Sequence, residues 1–230
     1  MQAMTPNDYC RQKAAPPGSG LYYSTLYLDA TRADALVALY ALRAELDEVL
    51  SGAVDIEPAR AKLAWWRVEI GECFQQRASH PVTQALAKLP SLAADEARLL
   101  ELVAGVEADL YQGRYADYAA LEHYCRHVSS TLHEVASGIL GERNEATVAF
   151  ARDIGVVWQL GEIVRNVGRD ARMGRLYLPN AELQQFNVSE ADIFDGRHND
   201  NVKALLAFPR QRIRALRGQA LARLAPTGRM

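Results

Sequence analysis

The stretch Gln159-Leu-Gly-Glu-Ile-Val-Arg-Asn-Val-Gly-Arg-Asp-Ala-Arg-Met-Gly-Arg-Leu-Tyr-Leu-Pro179 carries the most information in this chain. On a helix, residues three and four apart share a face. Gln159, Glu162, Asn166 and Asp170 therefore form one polar stripe. Ile154, Val157, Trp158, Leu160, Val164 and Val167 make much of the remaining surface apolar. A helix that is apolar over most of its circumference is predicted to be buried. Its polar stripe must then find partners, water, a ligand or a metal.

Outward from this helix, the spacing of apolar residues stays helical and strand-type alternation is nearly absent. Helices are predicted over 31–50, started by Asp29 or Thr31 and ended near Ser51-Gly52, and from Pro58 to Arg77. A short one follows Pro81. Others cover 94–112, 117–140 (ending at Gly141), 144–173 and 179–186. Ser189 caps a further one, and the last runs over 201–224. Gly18-Ser19-Gly20 reads as a flexible entry and 196–201 as a polar loop. The chain is predicted to be all-α, and 230 residues suit one domain with a sizeable core.

With 49% apolar and 23% charged residues, the composition is that of an ordinary globule. A net charge of −2 gives no overall footprint for nucleic acid. No apolar run approaches the roughly 18 residues of a membrane span. Met1 to Lys13 lacks the apolar core of a signal peptide. Cys10, Cys73 and Cys125 are widely spaced and odd in number, which favours reduced thiols and a cytoplasmic location.

Several blocks together resemble the squalene/phytoene synthase family, and within it the bacterial hopanoid-type presqualene diphosphate synthases. They are Tyr9-Cys10-Arg11-Gln12-Lys13-Ala14-Ala15, Gly18-Ser19-Gly20-Leu21-Tyr22-Tyr23, Leu39-Tyr40-Ala41-Leu42, Lys62 to Ile70, Asp109-Leu110-Tyr111-Gln112-Gly113-Arg114-Tyr115 and Gly174-Arg175-Leu176-Tyr177-Leu178-Pro179. The resemblance implies an isoprenoid-synthase-type helical bundle around a central cavity. In it, two helices present aspartate pairs to magnesium ions that hold a prenyl diphosphate. It also implies roughly two further C-terminal helices, so residues 1–230 read as a single such domain lacking the family's last helices.

Both acidic motifs depart from the family pattern. The first reads Asp47-Glu48-Val49-Leu50-Ser51, with serine where the second aspartate belongs. Magnesium prefers hard anionic oxygens, which serine does not supply. The second motif reads Asn166 and Asp170, and the asparagine brings a carbonyl but no charge. By resemblance, Asp47 and Asp170 are the catalytic candidates. Asp47, Glu48, Glu162, Asn166 and Asp170 form a weakened metal set for magnesium, if the chain is active. Ser19, Tyr22, Tyr40, Gln159, Arg165 and Arg175 are expected near substrate. From the residues alone, Asp47-Glu48 also reads as a solvated helix end, and Glu162 as a surface partner of Arg165 or Arg169. Arg165, Arg169, Arg172 and Arg175 read equally as a phosphate site or a solvated face. Ala44 stands where active members carry arginine. His133-Glu134 replaces small cavity-lining residues, and Leu216-Arg217 replaces paired tyrosines. His123 and His127 have the spacing of a chelating pair but no third ligand.

Two readings of function follow. One is a catalytically impaired relative, a pseudoenzyme retained as a prenyl- or lipid-binding or assembly module. The other is an active head-to-head prenyltransferase that condenses farnesyl diphosphate. Both take a prenyl diphosphate or another isoprenoid lipid as partner. A homodimer or protein partner is expected on the open C-terminal side, and membrane association is at most peripheral, to the inner membrane.

Overall fold

The structure is a computed structural model that describes residues 4–51, 55–111, 113–141 and 144–224, without the side chains of Ser51 and Ser91. Gly52 and residues 225–230 lie outside the described residues. Among those described there is no strand, so the all-α expectation is met. None of the described helices is long and apolar enough to cross a membrane. The chain forms two compact units, one of residues 1–107 with 135–143 and the other of residues 108–134 with 144–230.

In the first unit, α1 (Pro6–Ala14) starts at a capping box in which Thr5 and Asp8 satisfy each other's backbone, with proline at the first helical position. The sequence predicted no helix there. It also predicted a flexible entry at Gly18-Ser19-Gly20, where Ser19 instead caps α2 (Gly20–Thr25). α3 (Ala30–Ser51) and α4 (Ile56–Phe74) follow, then α5 (Pro81–Leu86), a single 3-10 turn at Pro90–Leu92 and α6 (Glu96–Tyr111). α4 begins two residues earlier than predicted and ends three earlier. α1 and α5 both pack on α3. Leu39, Leu42 and Leu46 of α3 are fully buried, as are Leu63 and Ile70 of α4.

The corner between α4 and α5 is held by Glu69, a buried carboxylate that accepts four hydrogen bonds. The donors are the Ser79 and His80 N–H groups and the Ser79 and Thr83 hydroxyls, at 2.6–2.8 Å. Burial pushes the Glu69 carboxyl up, but these donors outweigh it and the net pKa lies below the usual glutamate value. His80 caps α5 through Nδ1, which accepts from the Val82 N–H, and its ring meets Tyr9, Trp65 and Trp66 edge-on.

In the second unit, the helix predicted over 117–140 is not continuous. α7 (Tyr118–Cys125) passes into a π-helical segment, Arg126–Ser130, and then into α8 (Thr131–Ile139). A π segment frees a carbonyl from the regular ladder. Here the Ser129 carbonyl accepts from His133 Nδ1 at 2.8 Å. α9 (Glu145–Arg172), capped by an Asn144–Thr147 box, crosses this segment at Gly155. A Cβ there would stand 2.6 Å from the Ser130 Cα, so only glycine fits without moving backbone. Ser130 Oγ donates to the Arg152 carbonyl at 2.8 Å.

α10 (Asn180–Gln185), α11 (Glu190–Phe194) and α12 (Asp200–Arg223) complete the unit, and α12 packs along α9. α12 is tied to α10 by a pair between Arg212 and the buried Glu182 at 2.7 Å, with the Arg212 guanidinium 3.7 Å from the centre of the Tyr118 ring. Cys10, Cys73 and Cys125 are all buried free thiols, two in the first unit and one in the second.

Candidate active site

The first acidic motif occupies the last turn of α3. Asp47 accepts from Arg43 Nε at 2.9 Å, because the two are four apart on one helix face. Glu48 pairs with Lys13 of α1 at 2.7 Å, and Lys13 also reaches Glu45 at 3.0 Å. Tyr9 donates to the same Glu45 at 2.6 Å, and its own pKa is pushed up to about 12, first by that bond. The motif is therefore stitched to the N-terminal helix. Ser51 ends α3, and its side chain lies outside those described.

Among the substrate candidates of this unit, Ser19 Oγ accepts the Tyr22 N–H at 3.1 Å as the α2 cap. Tyr22 is half-buried against Tyr23. Tyr40 is half-buried, and burial raises its pKa. Tyr23, Leu26 and Tyr27 lie on the surface, Tyr27 with 93% of its area exposed.

The second motif lies on α9 with the predicted facing. Gln159 and Asp170 are buried, Glu162 and Asn166 half-buried. Glu162 pairs with Arg165 and accepts the Asn166 amide at 3.2 Å. The Asn166 amide nitrogen is thus spent within the stripe, leaving its carbonyl oxygen. Asp170 lies 3.3 Å from Arg169. Burial raises the Asp170 carboxyl above the usual value, against the opposing pull of Arg169 and Arg175. Trp158 departs from the expected burial: half its area is exposed, with its ring 6.2 Å from that of His133.

The four arginines expected together as a phosphate site do not share one role. Arg165 and Arg169 pair with their helix neighbours, while Arg172 has no ion pair among the described residues. Arg175, beyond the helix, turns to Asp109 at 3.2 Å and to the Tyr177 hydroxyl at 3.2 Å. Tyr177 donates to Asp109 Oδ2 at 2.7 Å, and its ring stacks on Tyr115 and Tyr124. Burial first, then Asp109, pushes the Tyr177 pKa up. This Asp–Arg–Tyr network was missed as a site. Its signal was present, because its members come from the Asp109–Tyr115 and Gly174–Pro179 blocks.

His123 and His127 lie edge to face, with ring centres 4.6 Å apart. Among the described residues no three His, Cys, Asp or Glu side chains gather as they would round a metal. The magnesium that the resemblance implies asks for converging anionic oxygens. The donor set here is Asp47, Glu48, Glu162 and Asp170, each held by a basic side chain, with neutral Ser51 and Asn166 at the remaining positions. Each motif taken by itself thus lacks one of the two aspartates that the resemblance implies.

Comparison with known proteins agrees with the motifs. A squalene/phytoene synthase family model matches residues 15–227. The chain is 30% identical over 221 residues to a 15-cis-phytoene synthase of Synechococcus elongatus, covering 89% of this chain and 71% of that protein. It is 28% identical over 221 residues to a phytoene synthase of Arthrospira platensis, covering 90% and 72%. The fold is shared with a dehydrosqualene synthase crystallised with a ligand, at a TM-score of 0.81 and 22% identity over 94% of this chain and 76% of that one. It is also shared with squalene synthase HpnC from Alicyclobacillus acidocaldarius, at a TM-score of 0.78 and 21% identity over 95% and 82%.

Proposed function

The chain belongs to the squalene/phytoene synthase family, and from that premise we propose that it is a member without metal-dependent ionisation chemistry, kept as a prenyl- or other isoprenoid-lipid-binding or assembly module. The observation that carries this reading is the state of the two acidic motifs. Each has lost one family carboxylate, to Ser51 in the first and to Asn166 in the second, and those that remain are paired with Arg43, Lys13, Arg165 and Arg169. Ionising an allylic diphosphate demands stabilisation of the leaving group, and each 1.36 kcal/mol withheld from the transition state costs about tenfold in rate. The framework is meanwhile intact, including the Asp109–Arg175–Tyr177 network. Departures at Ala44, Ser51 and Asn166 that fall on the catalytic apparatus, with the framework blocks kept, are what a scaffold retained for binding would display.

The test is incubation of the full chain with farnesyl diphosphate, magnesium and a reductant. No presqualene diphosphate or squalene is expected. Steady product formation that Asp170→Ala abolishes would refute the reading. It would favour the alternative, an active magnesium-dependent head-to-head prenyltransferase of isoprenoid biosynthesis, which the phytoene synthases among the relatives support.

A further inference from the structure

α12 carries a charge pattern that nothing in the site accounts for. From Asn201 to Leu224 there is no Asp or Glu, while Lys203, Arg210, Arg212, Arg214, Arg217 and Arg223 all fall there, in a chain whose net charge is −2. Arg212 and Arg223 are committed, to Glu182 and to Asp153. The others are not scattered. Lys203, Ala207, Arg210, Arg214, Arg217 and Leu221 recur at alternating steps of four and three, which places them on a single stripe. All six are exposed, on the side of α12 away from Val202, Leu205, Pro209 and Ala220, which are buried.

At about 1.5 Å per residue the stripe runs roughly 27 Å. Lys203 has a local partner in Asp200. Arg210, Arg214 and Arg217 have no ion pair among the described residues. Arginines elsewhere in the described chain, Arg172 excepted, lie within ion-pair distance of a carboxylate. Three neighbouring cations on one helix face repel one another, and an external anion relieves that repulsion.

We infer that this face of α12 docks on an anionic phospholipid surface. Guanidinium groups fork onto phosphate oxygens. A planar field of headgroups asks only for the right sign along the stripe, whereas a folded protein partner asks for matched carboxylates. On either side of the three arginines the stripe offers a small Ala207 and an exposed Leu221, which suits a helix lying in the headgroup layer. It offers no aromatic ring on which a nucleic-acid base stacks.

Flotation of the full chain with vesicles tests this. Binding is expected to vesicles containing phosphatidylglycerol, to weaken steeply with added salt, and to be absent with phosphatidylcholine alone. A basic residue near such a surface contributes about 1 kcal/mol, or roughly fivefold. The triple variant Arg210→Gln, Arg214→Gln, Arg217→Gln is therefore expected to lose on the order of a hundredfold in affinity, with an unchanged circular dichroism melt. A matched control, Arg60→Gln, Arg77→Gln, Arg197→Gln, alters net charge equally and is expected to bind nearly as the parent does. Equal binding to both vesicle types, an unaffected stripe variant, or an equal loss in the control overturns the inference. Binding to single-stranded RNA or to an acidic polypeptide, with none to vesicles, overturns it too.

Discussion

Asp170 is a carboxylate whose burial works against its charge, and it sits in the last turn of a helix, where the macrodipole is also negative. Its pKa is raised in the folded chain. Its contribution to stability is therefore full below the unfolded value near 3.9 and is lost as pH rises through the folded one. Asp170→Asn should raise the melting temperature at neutral pH, and the gain should vanish in acid, where the wild type is itself protonated. A lower melting temperature at neutral pH would mean that the Arg169 and Arg175 attractions outweigh burial. Asp109 is instead paired with Arg175 and accepts the Tyr177 hydroxyl. Asp109→Asn should cost about 3 kcal/mol, the order seen when one partner of a buried pair is removed. Tyr177→Phe should cost about 1 kcal/mol. Urea titrations measure both. The α9 stripe was legible in the sequence because its members lie within a few turns of one another. The Asp109–Arg175 pair was not, since 66 residues separate its halves and no helical period links them.

Among the elements, the long amphipathic helices were legible from spacing alone, and α3, α9 and α12 fall within a residue or two of their predicted ends. α1 and α2 were not, because each rests on a cap and on docking to α3 more than on its own apolar period. Nor was the π segment, which depends on the close approach of Gly155 from a distant helix. Gly155→Ala should cost roughly 2–3 kcal/mol, since its Cβ meets backbone that cannot step aside. Gly161→Ala, on the same helix with nothing near its Cβ, should instead gain up to about 1 kcal/mol. Thermal melts of the pair separate the contact from helix propensity.

The α4–α5 corner should be acid-labile. Burial first lowers the His80 pKa below its usual value, and the Glu69 pKa is also depressed. Both groups stabilise the fold above their unfolded pKa values, near 6.5 and 4.3, and lose that contribution as pH falls through the folded ones. Amide exchange at Ser79, His80 and Val82 should accelerate as pH drops below about 6.5, once corrected for intrinsic rates. Flat protection down to pH near 4 would refute it.

At the scale of the whole molecule, the all-α class was readable because every level of the sequence pointed the same way. The division into two compact units was not. Its boundaries after Glu107 and Glu134 fall inside α6 and α8, where the helical pattern runs on and no proline or polar linker announces a change. Ligand linkage belongs to this scale. A ligand that binds only the native state adds about 2.7 kcal/mol at a hundredfold excess over its Kd. With a non-hydrolysable farnesyl diphosphate analogue, added magnesium should leave the melting temperature where the analogue alone puts it. The double variant Ser51→Asp, Asn166→Asp should recover part of a magnesium increment. A clear increment in the unmodified chain would make Glu48 and Glu162 ligands and the enzyme the better reading. The buried thiols offer a further handle. Burial pushes Cys10 and Cys73 up to about 11 and Cys125 higher still, so none is nucleophilic in the closed fold. Alkylation must wait for an opening event, and Cys125 times the second unit while Cys10 and Cys73 time the first. The molecule thus carries two internal clocks, read by mass spectrometry without a single added label.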